Sequence, residues 1–132
     1  MLYLLDASAI INNPSFIFSP NKKYLTTPEV MNEFKDFRSR NLAENALKNQ
    51  ILKLKEPDKK FISKVEKKLK EMNMHLSAED VSLLALAEEL KSKKMKFILI
   101  TDDFSMQNYC KLNKIKFEFS AMGKIKKAIK KF

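Results

Sequence analysis

The fold predicted for this chain is decided by the stretch Phe97-Ile98-Leu99-Ile100-Thr101-Asp102-Asp103-Phe104. Its first four residues are all apolar, without the alternation that an exposed face would produce, which predicts a strand buried on both faces of a parallel sheet. Two carboxylates follow that strand at its carboxyl end, where open α/β sheets bind their ligands. The stretch Leu2-Tyr3-Leu4-Leu5 repeats the pattern and runs into Asp6. Two buried strands that both end in aspartate predict one shared acidic site.

The composition bounds the class of protein. The chain has 132 residues, of which 45% are hydrophobic, so we expect residues 1–132 to form a single globular domain. The sequence has no apolar run of the roughly 20 residues needed to span a bilayer. Asp6 interrupts the apolar amino terminus, which argues against a signal peptide, and a lone cysteine permits no internal disulfide. These features predict a cytoplasmic protein without a membrane segment.

The net charge favours a polyanionic partner. The chain has 26 Lys and Arg residues against 16 Asp and Glu residues, a net charge of +10. Nucleic acid is the first candidate for such a surface, and an anionic membrane is the second. A lysine-rich surface that serves solubility or heat tolerance would give the same balance. Carboxylates at strand ends within this basic chain indicate a cation site set in a surface that attracts phosphates.

Strands and helices alternate along the chain. We predict strands at 2–5, 22–26, 51–55 (an edge strand), 97–100 and 115–119. Helices are predicted after Asp6, at 27–38 with a continuation at 42–48, at 59–73, from residue 77, at 105–112 and at 121–132. In the helix at 27–38, Phe34 and Phe37 are expected on the core side. This alternation predicts an α/β protein with a three-layer α/β/α architecture around a mostly parallel central sheet.

Five carboxylates are candidates for the acidic site, namely Asp6, Glu33, Asp80, Asp102 and Asp103. Each has a local alternative explanation. Asp6 would serve as a helix cap, Glu33 as a solvated helix residue, and Asp80 as part of a capping box that begins at Ser77. His75 is expected to be a loop residue, because the chain has no second histidine with which to build a histidine-based metal cluster.

Carboxylates gathered at one edge of a sheet repel one another unless a cation neutralises them. Oxygen ligands suit hard divalent ions such as Mg²⁺ and Mn²⁺. An acidic metal site within a basic domain is typical of metal-assisted phosphodiester hydrolysis, in which the ion activates water or stabilises the leaving oxygen. The residues alone therefore indicate a nuclease as the function class.

The chain resembles the PIN domain (PilT N-terminal) ribonucleases over nearly its whole length. The matching pieces are Leu4-Leu5-Asp6-Ala7-Ser8-Ala9-Ile10-Ile11, Thr27-Pro28-Glu29-Val30 followed by Glu33, Leu76-Ser77-Ala78-Glu79-Asp80, and Ile100-Thr101-Asp102-Asp103-Phe104. The resemblance implies a metal-dependent endoribonuclease with four acids at Asp6, Glu33, Asp80 and one of Asp102 and Asp103. The family pattern of Thr, any residue, Asp points to Asp103, and both positions are retained as candidates.

The resemblance also implies a role for each of these acids. Asp6, Asp80 and Asp103 would hold Mg²⁺ or Mn²⁺, directly or through water, with Asp102 contributing. Glu33 would bind a second ion or orient the attacking water.

Four neighbouring polar residues would support the reaction. Ser8 and Thr101 would hold the carboxylates in place as hydrogen-bond donors. Gln107 and Asn108 would contact the substrate, or would have a structural role on the short helix that carries them. Lysines around the cleft would hold the RNA backbone, with an affinity that falls as salt rises.

Within the PIN family, the stretches 27–30 and 101–108 look most like the Nin-one-binding (Nob) endonucleases. This implies maturation of the small-subunit ribosomal RNA precursor at its 3′ end. Single-stranded RNA is the expected substrate, because proteins that read RNA sequence mostly bind unpaired regions. Those proteins usually continue into a zinc ribbon, which residues 1–132 do not contain. Similar PIN domains serve as toxins of toxin–antitoxin pairs that cut tRNA or mRNA. PIN relatives often dimerise, so the resemblance also implies a homodimer.

Two other function classes stay open at this level. One is a catalytically silent PIN module that binds RNA within a larger complex, and retained RNA binding without cleavage would support it. The other is an acidic-site phosphatase or receiver domain on a similar sheet. Hydrolysis of a small phosphomonoester would favour that class, whereas cleavage of an RNA oligonucleotide would favour the nuclease.

Overall fold

Five parallel strands form the centre of the molecule, and the computed structural model describes residues 1–120 of the chain. In chain order the strands are β1 (Leu2–Leu5), β2 (Lys23–Thr26), β3 (Leu52–Leu54), β4 (Phe97–Ile100) and β5 (Phe117–Glu118). Across the sheet the order is β3-β2-β1-β4-β5, and every neighbouring pair is parallel. The predicted parallel sheet is confirmed. The basic helix predicted at 121–132 lies outside the described residues.

Helices flank the sheet and complete the three-layer α/β/α fold, as predicted. Within residues 1–120 they are α1 (Ser8–Ile11), α2 (Pro28–Met31), α3 (Phe37–Lys48), α4 (Lys59–Glu71), α5 (Ala78–Ser92) and α6 (Phe104–Leu112). Helix α5 is buried without a break from Val81 to Leu90, which explains why apolar residues occur on every side of it rather than in one stripe. Helix α4 buries only Phe61, Val65 and Leu69, which recur every four residues, and most of its lysines are exposed. None of the described helices is both long enough and apolar enough to cross a lipid bilayer.

The helix predicted at 27–38 is wrong in its extent. Helix α2 ends at Met31, and a second helix begins six residues later at Phe37. The break occurs because the Asp36 carboxylate accepts a hydrogen bond from the backbone N–H three residues further on, at 2.9 Å, and so caps a new helix. Phe34 is buried as predicted, but Phe37 is the first residue of α3 and is 86% exposed. The prediction that Phe37 faces the core is therefore wrong.

The other predicted elements are present with small differences in length. The edge strand predicted at 51–55 is β3, which does lie at an edge of the sheet. The strand predicted at 115–119 is reduced to the two residues of β5. Its start is shortened because the N–H of Ile115 donates to the Cys110 carbonyl and closes the end of α6.

The strand order brings the acidic segments together. From β1 the chain moves outward to β2 and β3, and then returns to the other side of β1 to form β4 and β5. In open α/β sheets a ligand crevice forms outside the carboxyl ends of the strands at such a switch point. Leu5 pairs with Ile100 in the sheet register. Asp6 and Thr101, the next residue on each strand, therefore leave the sheet side by side at this crevice.

Candidate acidic active site

Asp6 lies at the base of the crevice and is 4% exposed. Its Oδ2 oxygen accepts hydrogen bonds from the Ser8 hydroxyl at 2.6 Å and from the Thr101 hydroxyl at 2.7 Å. Burial raises the pKa of Asp6 above its ordinary value, the two hydroxyls oppose this change, and the charge of Asp103 adds to it. The N-cap position of α1 is Ala7 rather than Asp6, so the local explanation of Asp6 as a helix cap is wrong.

The hydroxyls of Ser8 and Thr101 connect the end of β1 to the end of β4. Ser8 Oγ also accepts a hydrogen bond from the N–H of Asp102 at 3.0 Å. Thr101 Oγ1 likewise accepts one from the N–H of Asp103 at 3.1 Å. Each hydroxyl thus donates to the Asp6 carboxylate and accepts from the backbone that follows β4. This pairing fixes the position of Asp6 relative to the two adjacent aspartates.

The carboxylates of those two aspartates have different partners. Asp103 Oδ1 accepts hydrogen bonds from two backbone N–H groups in the first turn of α6, at 2.7 and 3.4 Å. The charge of Asp103 also raises the pKa values of Asp6 and Asp80, which places it within the acidic cluster. The Asp102 carboxylate instead accepts hydrogen bonds from the N–H and the hydroxyl of Ser120, at 2.8 and 2.7 Å. Asp103 therefore faces the other acids, and Asp102 holds the segment after β5.

Two further acids of the cluster, Glu33 and Asp80, come from segments next to helices rather than from strand ends. Glu33 lies in the turn that follows α2, and Asp80 lies in the first turn of α5. The pKa of Glu33 is raised to about 7, chiefly by burial and also by the charges of Asp6 and Asp80. The pKa of Asp80 is likewise raised to about 6, chiefly by burial and also by the charges of Asp6 and Asp103. The negative charges that act on Asp6, Glu33 and Asp80 come mainly from Asp6, Asp80 and Asp103 themselves, which puts these four acids around one crevice.

The capping box predicted at the start of α5 accounts for only part of the role of Asp80. Ser77 Oγ accepts a hydrogen bond from the N–H of Asp80 at 3.2 Å, so Ser77 does cap the helix. The Asp80 side chain is nevertheless within electrostatic reach of acids on other segments, which a local capping role does not require. His75 lies exposed in the loop before this helix, as predicted.

The carboxylate oxygens of the crevice are of the kind that bind a hard divalent cation, but they do not yet converge on a single position. Among residues 1–120, no group of three Asp, Glu, His or Cys side chains forms a ready-made metal site. The hydrogen bonds to Asp6 and Asp103 nevertheless each occupy a single oxygen, Oδ2 of Asp6 and Oδ1 of Asp103. The other oxygen of each carboxylate lies outside these hydrogen bonds. Oxygen ligands that raise one another's pKa are stabilised by a positive charge placed between them.

The two predicted substrate contacts on α6 have different environments. Gln107 is buried, and its amide nitrogen donates to the Thr101 carbonyl at 3.0 Å. This contact supports the backbone of the site and favours the structural role that the sequence left open for Gln107. Asn108 is exposed, and its amide nitrogen lies 3.9 Å from the sulfur of Met74. Of the two side chains, Asn108 is the one accessible to a ligand.

Sequence reasoning missed two residues at this site. Glu79 precedes Asp80, and its charge contributes to the raised pKa values of both Glu33 and Asp80. The pairing of Glu79 with Asp80 in the sequence could have drawn attention to Glu79. Acidic residues are common in the first turn of a helix, however, so this pattern alone did not indicate a site. Phe104 directly follows Asp103 and is 84% exposed. An aromatic residue next to a strand-end acid was the signal there.

Comparison with known proteins places the chain in a family. The family described as PIN domain of ribonuclease matches residues 3–90. The chain is 39% identical over 108 residues to Endoribonuclease Nob1 of Methanocaldococcus jannaschii, which covers 82% of this chain and 51% of that protein. It is 37% identical over 114 residues to Endoribonuclease Nob1 of Methanothermobacter thermautotrophicus, covering 85% and 64%. It is 34% identical over 130 residues to Endoribonuclease Nob1 of Pyrococcus abyssi, covering 96% and 76%. The chain thus spans about half of the first of these relatives and about three quarters of the third.

Solved structures share the fold. VapBC-1 from nontypeable Haemophilus influenzae matches with a TM-score of 0.59 at 17% identity, covering 92% of this chain and 99% of that chain. VapBC2 from Rickettsia felis, solved bound to a DNA fragment from their promoter, matches with a TM-score of 0.57 at 12% identity, covering 90% and 98%. At these identities the likeness concerns the fold alone. The family match over residues 3–90 and the 34% identity across most of the Pyrococcus abyssi relative show that this chain belongs to the family of PIN domains of ribonucleases.

Proposed function

We propose that this chain is a divalent-metal-dependent endoribonuclease that cuts single-stranded RNA in the maturation of small-subunit ribosomal RNA. One observation carries the proposal: four carboxylates from four separate segments meet at the carboxyl edge of the sheet, where burial and neighbouring negative charges raise the pKa values of Asp6, Glu33 and Asp80. Such an arrangement of carboxylates destabilises the folded chain unless a cation binds among them. A functional role in binding a cation therefore explains why the chain keeps these four acids together.

The absence of basic partners strengthens this interpretation. Glu88 and Glu89, the two buried glutamates of α5, each form ion pairs with two lysines. Among residues 1–120, none of the four acids of the crevice forms an ion pair with Lys, Arg or His. In a chain with a net charge of +10, basic side chains are abundant. Within the described part of the chain, the absence of such pairs leaves the carboxylate oxygens available for a metal ion.

Each side chain has a role in this proposal. Asp6, Asp80 and Asp103 would hold Mg²⁺ or Mn²⁺ through their carboxylate oxygens. When bound, such an ion supplies the positive charge that activates water and offsets the charge of the phosphate. Glu33 would hold a second ion or orient the attacking water. Thr101, with the neighbouring Ser8, would keep Asp6 in one orientation as the reaction proceeds.

RNA is the substrate that the surface and the relatives favour. The net charge of +10 attracts a phosphate backbone. The three archaeal relatives carry the name endoribonuclease and share 34 to 39% of aligned residues with this chain. An unpaired strand is favoured because bases in a loop or at an end are accessible to side chains, whereas the major groove of an RNA helix is too narrow for them.

A toxin of a toxin–antitoxin pair is the alternative within the same family. The structural likeness to the VapBC proteins stands at 17% and 12% identity and supports a shared fold only. The identity to the Nob1 relatives is at least twice as high, so we favour the ribosomal substrate. The two roles differ in the RNA that is cut, which makes them separable by experiment.

The test incubates the purified protein with single-stranded RNA that contains the small-subunit 3′ end, with Mn²⁺, with Mg²⁺ and with a chelator. Transfer RNA and an unrelated messenger RNA serve as competing substrates. Asp6→Asn is the test variant, and Asp58→Asn is the matched control. Asp58 caps α4 by accepting from the N–H of Lys60 at 3.0 Å, and asparagine is an equally good cap, so the control changes the same charge without loss of a helix end.

We expect metal-dependent cleavage by the wild type and by Asp58→Asn, and its loss in Asp6→Asn. A discrete product at the mature 3′ end would support the ribosomal role. Preferential cleavage of transfer or messenger RNA would move the function to the toxin class. Intact RNA in every lane, from a folded protein that binds it, would overturn the nuclease proposal in favour of a silent RNA-binding module.

A further inference from the structure

An open groove lies along α6, next to the acidic cluster. Its volume is about 750 Å³, and its lining includes Met74, Phe104, Asn108, Lys111, Phe117 and Phe119. The groove begins beside the acidic cluster, because Phe104, which lines it, directly follows Asp103 in the chain. Gln107 also lines the groove, while its amide donates to the Thr101 carbonyl at the acidic site. A strand that reaches the crevice could therefore continue into the groove.

The groove combines aromatic rings with polar groups. Phe104 is 84% exposed, and Phe117 and Phe119 are half-buried. An isolated exposed phenylalanine would need no explanation, but three rings that line one groove form an aromatic surface. Asn108 and Lys111, both exposed, add an amide and a positive charge along the same wall.

This combination matches an unpaired nucleotide better than an apolar ligand. Bases of single-stranded RNA stack on aromatic side chains, and an amide can donate to and accept from the edge of a stacked base. A lysine at the edge of the groove complements the phosphate that accompanies each base. A purely apolar peptide segment would leave Lys111 without a counter-charge. The volume lies within the range of pockets that hold small ligands.

We propose that this groove binds an unpaired base next to the phosphate that is cut, with Phe104 as the stacking platform and Lys111 as the phosphate contact. The proposal rests on the proposed function and deepens it, because it assigns the segment of RNA that positions the scissile phosphate. Stacking tolerates any base. A preference among bases would come from Asn108.

The first test measures the binding of labelled single-stranded RNA in a chelator, so that the strand is not cut. The variants are Phe104→Ala and Phe104→Trp, with Phe37→Ala as the matched control. Phe37 is 86% exposed and follows a capping aspartate at the start of a helix, as Phe104 does, but it does not line the groove. Both rings are exposed, so neither alanine variant is expected to unfold the chain.

We expect Phe104→Ala to weaken RNA affinity by roughly 5- to 150-fold, the range that follows from loss of one base–aromatic stack. Phe104→Trp should retain the affinity, and Phe37→Ala should match the wild type. The chain contains no tryptophan, so Phe104→Trp introduces a single tryptophan at the proposed contact, which can be excited selectively in the presence of the three tyrosines. Its emission should be quenched when RNA binds.

A second test places an abasic site at successive positions of the RNA. For the wild type, one position next to the cut site should lose affinity when its base is removed. For Phe104→Ala, removal of that same base should cost nothing further, because the stacking partner is already gone. This coupling would not arise if Phe104 had a merely structural role.

The outcomes separate this proposal from the proposed function. Equal RNA affinity of the wild type and Phe104→Ala would overturn the groove proposal even if the protein cuts RNA. Quenching and abasic coupling without cleavage in metal would support the groove and overturn the nuclease. A wild-type protein that binds no RNA would overturn both.

Discussion

The Thr101 hydroxyl donates a 2.7 Å hydrogen bond to the Asp6 carboxylate and so connects two residues that are 95 positions apart in the chain. The same oxygen accepts a hydrogen bond from the N–H of Asp103 at 3.1 Å. One threonine thereby sets the positions of two acids of the crevice relative to each other. Because Asp6 is buried, this hydroxyl also stabilises a charge that has few other donors.

Replacement of Thr101 by valine should impair both stability and cleavage. The change keeps the side chain's shape and removes the hydroxyl, which leaves the buried Asp6 carboxylate with one fewer donor. We expect the free energy of unfolding in urea to fall by about 1–3 kcal/mol. Cleavage should fall by about 10- to 100-fold, as is usual when the group that orients a metal ligand is lost.

Thr26→Val is the matched control for this variant. Thr26 is also fully buried at the end of a strand, and its hydroxyl donates to the Leu5 carbonyl at 2.7 Å. It should lose a similar amount of stability but retain cleavage by the folded protein. Equal loss of cleavage in Thr26→Val and Thr101→Val would show that Thr101 acts through general stability alone.

Asp103, not Asp102, should be the fourth acid of the site. Asp103→Asn keeps a capping oxygen for α6 but removes the charge that acts on Asp6 and Asp80. Cleavage under metal should fall by at least about 100-fold, since the loss of a metal ligand costs no less than the loss of a group that supports one. Asp102→Asn should retain far more activity, because its carboxylate contacts Ser120. The opposite ranking of the two variants would assign the site to Asp102.

The strand-end acids could be predicted because their signal is contiguous in sequence. Four apolar residues followed by aspartate specify both a buried strand and the side chain at its end, and the parallel sheet places such ends at one edge. The choice between Asp102 and Asp103 could not be made in this way. It depends on a contact between Asp102 and Ser120, 18 positions later, which no local pattern encodes.

The sequence predicted Glu33 within one long helix, whereas it lies in the turn between α2 and α3. Local periodicity could not show this break. Phe34 and Phe37 are three residues apart, a spacing that continues the helical pattern across the break between α2 and α3. The break is caused by the Asp36 carboxylate, which competes for the backbone by capping the next helix. Periodicity favoured one long helix, and a single side-chain hydrogen bond produced two.

Without divalent ions, the protein should become less stable as pH rises through neutrality. The folded-state pKa values of Glu33 and Asp80, about 7 and about 6, lie above the ordinary values of 4.5 and 3.8. The folded state therefore binds protons more tightly than the unfolded state. The resulting stabilisation is fully present below the unfolded values and is lost as pH rises through the folded ones. Thermal unfolding in a chelator should show a lower Tm at about pH 8 than at about pH 5.

Mn²⁺ should reverse this loss at the higher pH, with a stabilisation of about 2.7 kcal/mol when its concentration is 100 times its Kd. The double variant Glu33→Gln, Asp80→Asn is the control, since it removes both titrating groups. Its Tm should change less with pH in the chelator and should respond less to Mn²⁺. A wild-type Tm that is flat between about pH 5 and about pH 8 would contradict the raised pKa values.

A second charged cluster, around Glu88 between α4, α5 and α6, should make the protein less stable as pH falls, the opposite of the effect of the acidic crevice. The Glu88 side chain is fully buried between three helices, where it pairs with Lys68 of α4 at 2.9 Å and accepts the Tyr109 hydroxyl of α6 at 2.7 Å. Burial alone would raise the pKa of Glu88, but the hydrogen bonds from Lys68 and Tyr109 lower it below 4.5. A lowered carboxyl pKa contributes stability above the unfolded value and loses it as pH falls through the folded value.

Tyr109→Phe should therefore lower the free energy of unfolding by about 1.5–3 kcal/mol near neutral pH, because the hydroxyl donates to a charged acceptor. The difference from the wild type should shrink as the solution is acidified below pH 4.5 and Glu88 becomes protonated. Tyr24→Phe is the matched control, since the Tyr24 hydroxyl is also buried but accepts a neutral N–H from Ser19 at 3.2 Å. Its effect should be smaller and independent of pH. If urea unfolding gives equal losses for the two variants at both acid and neutral pH, Glu88 does not carry the charge that holds α4, α5 and α6 together.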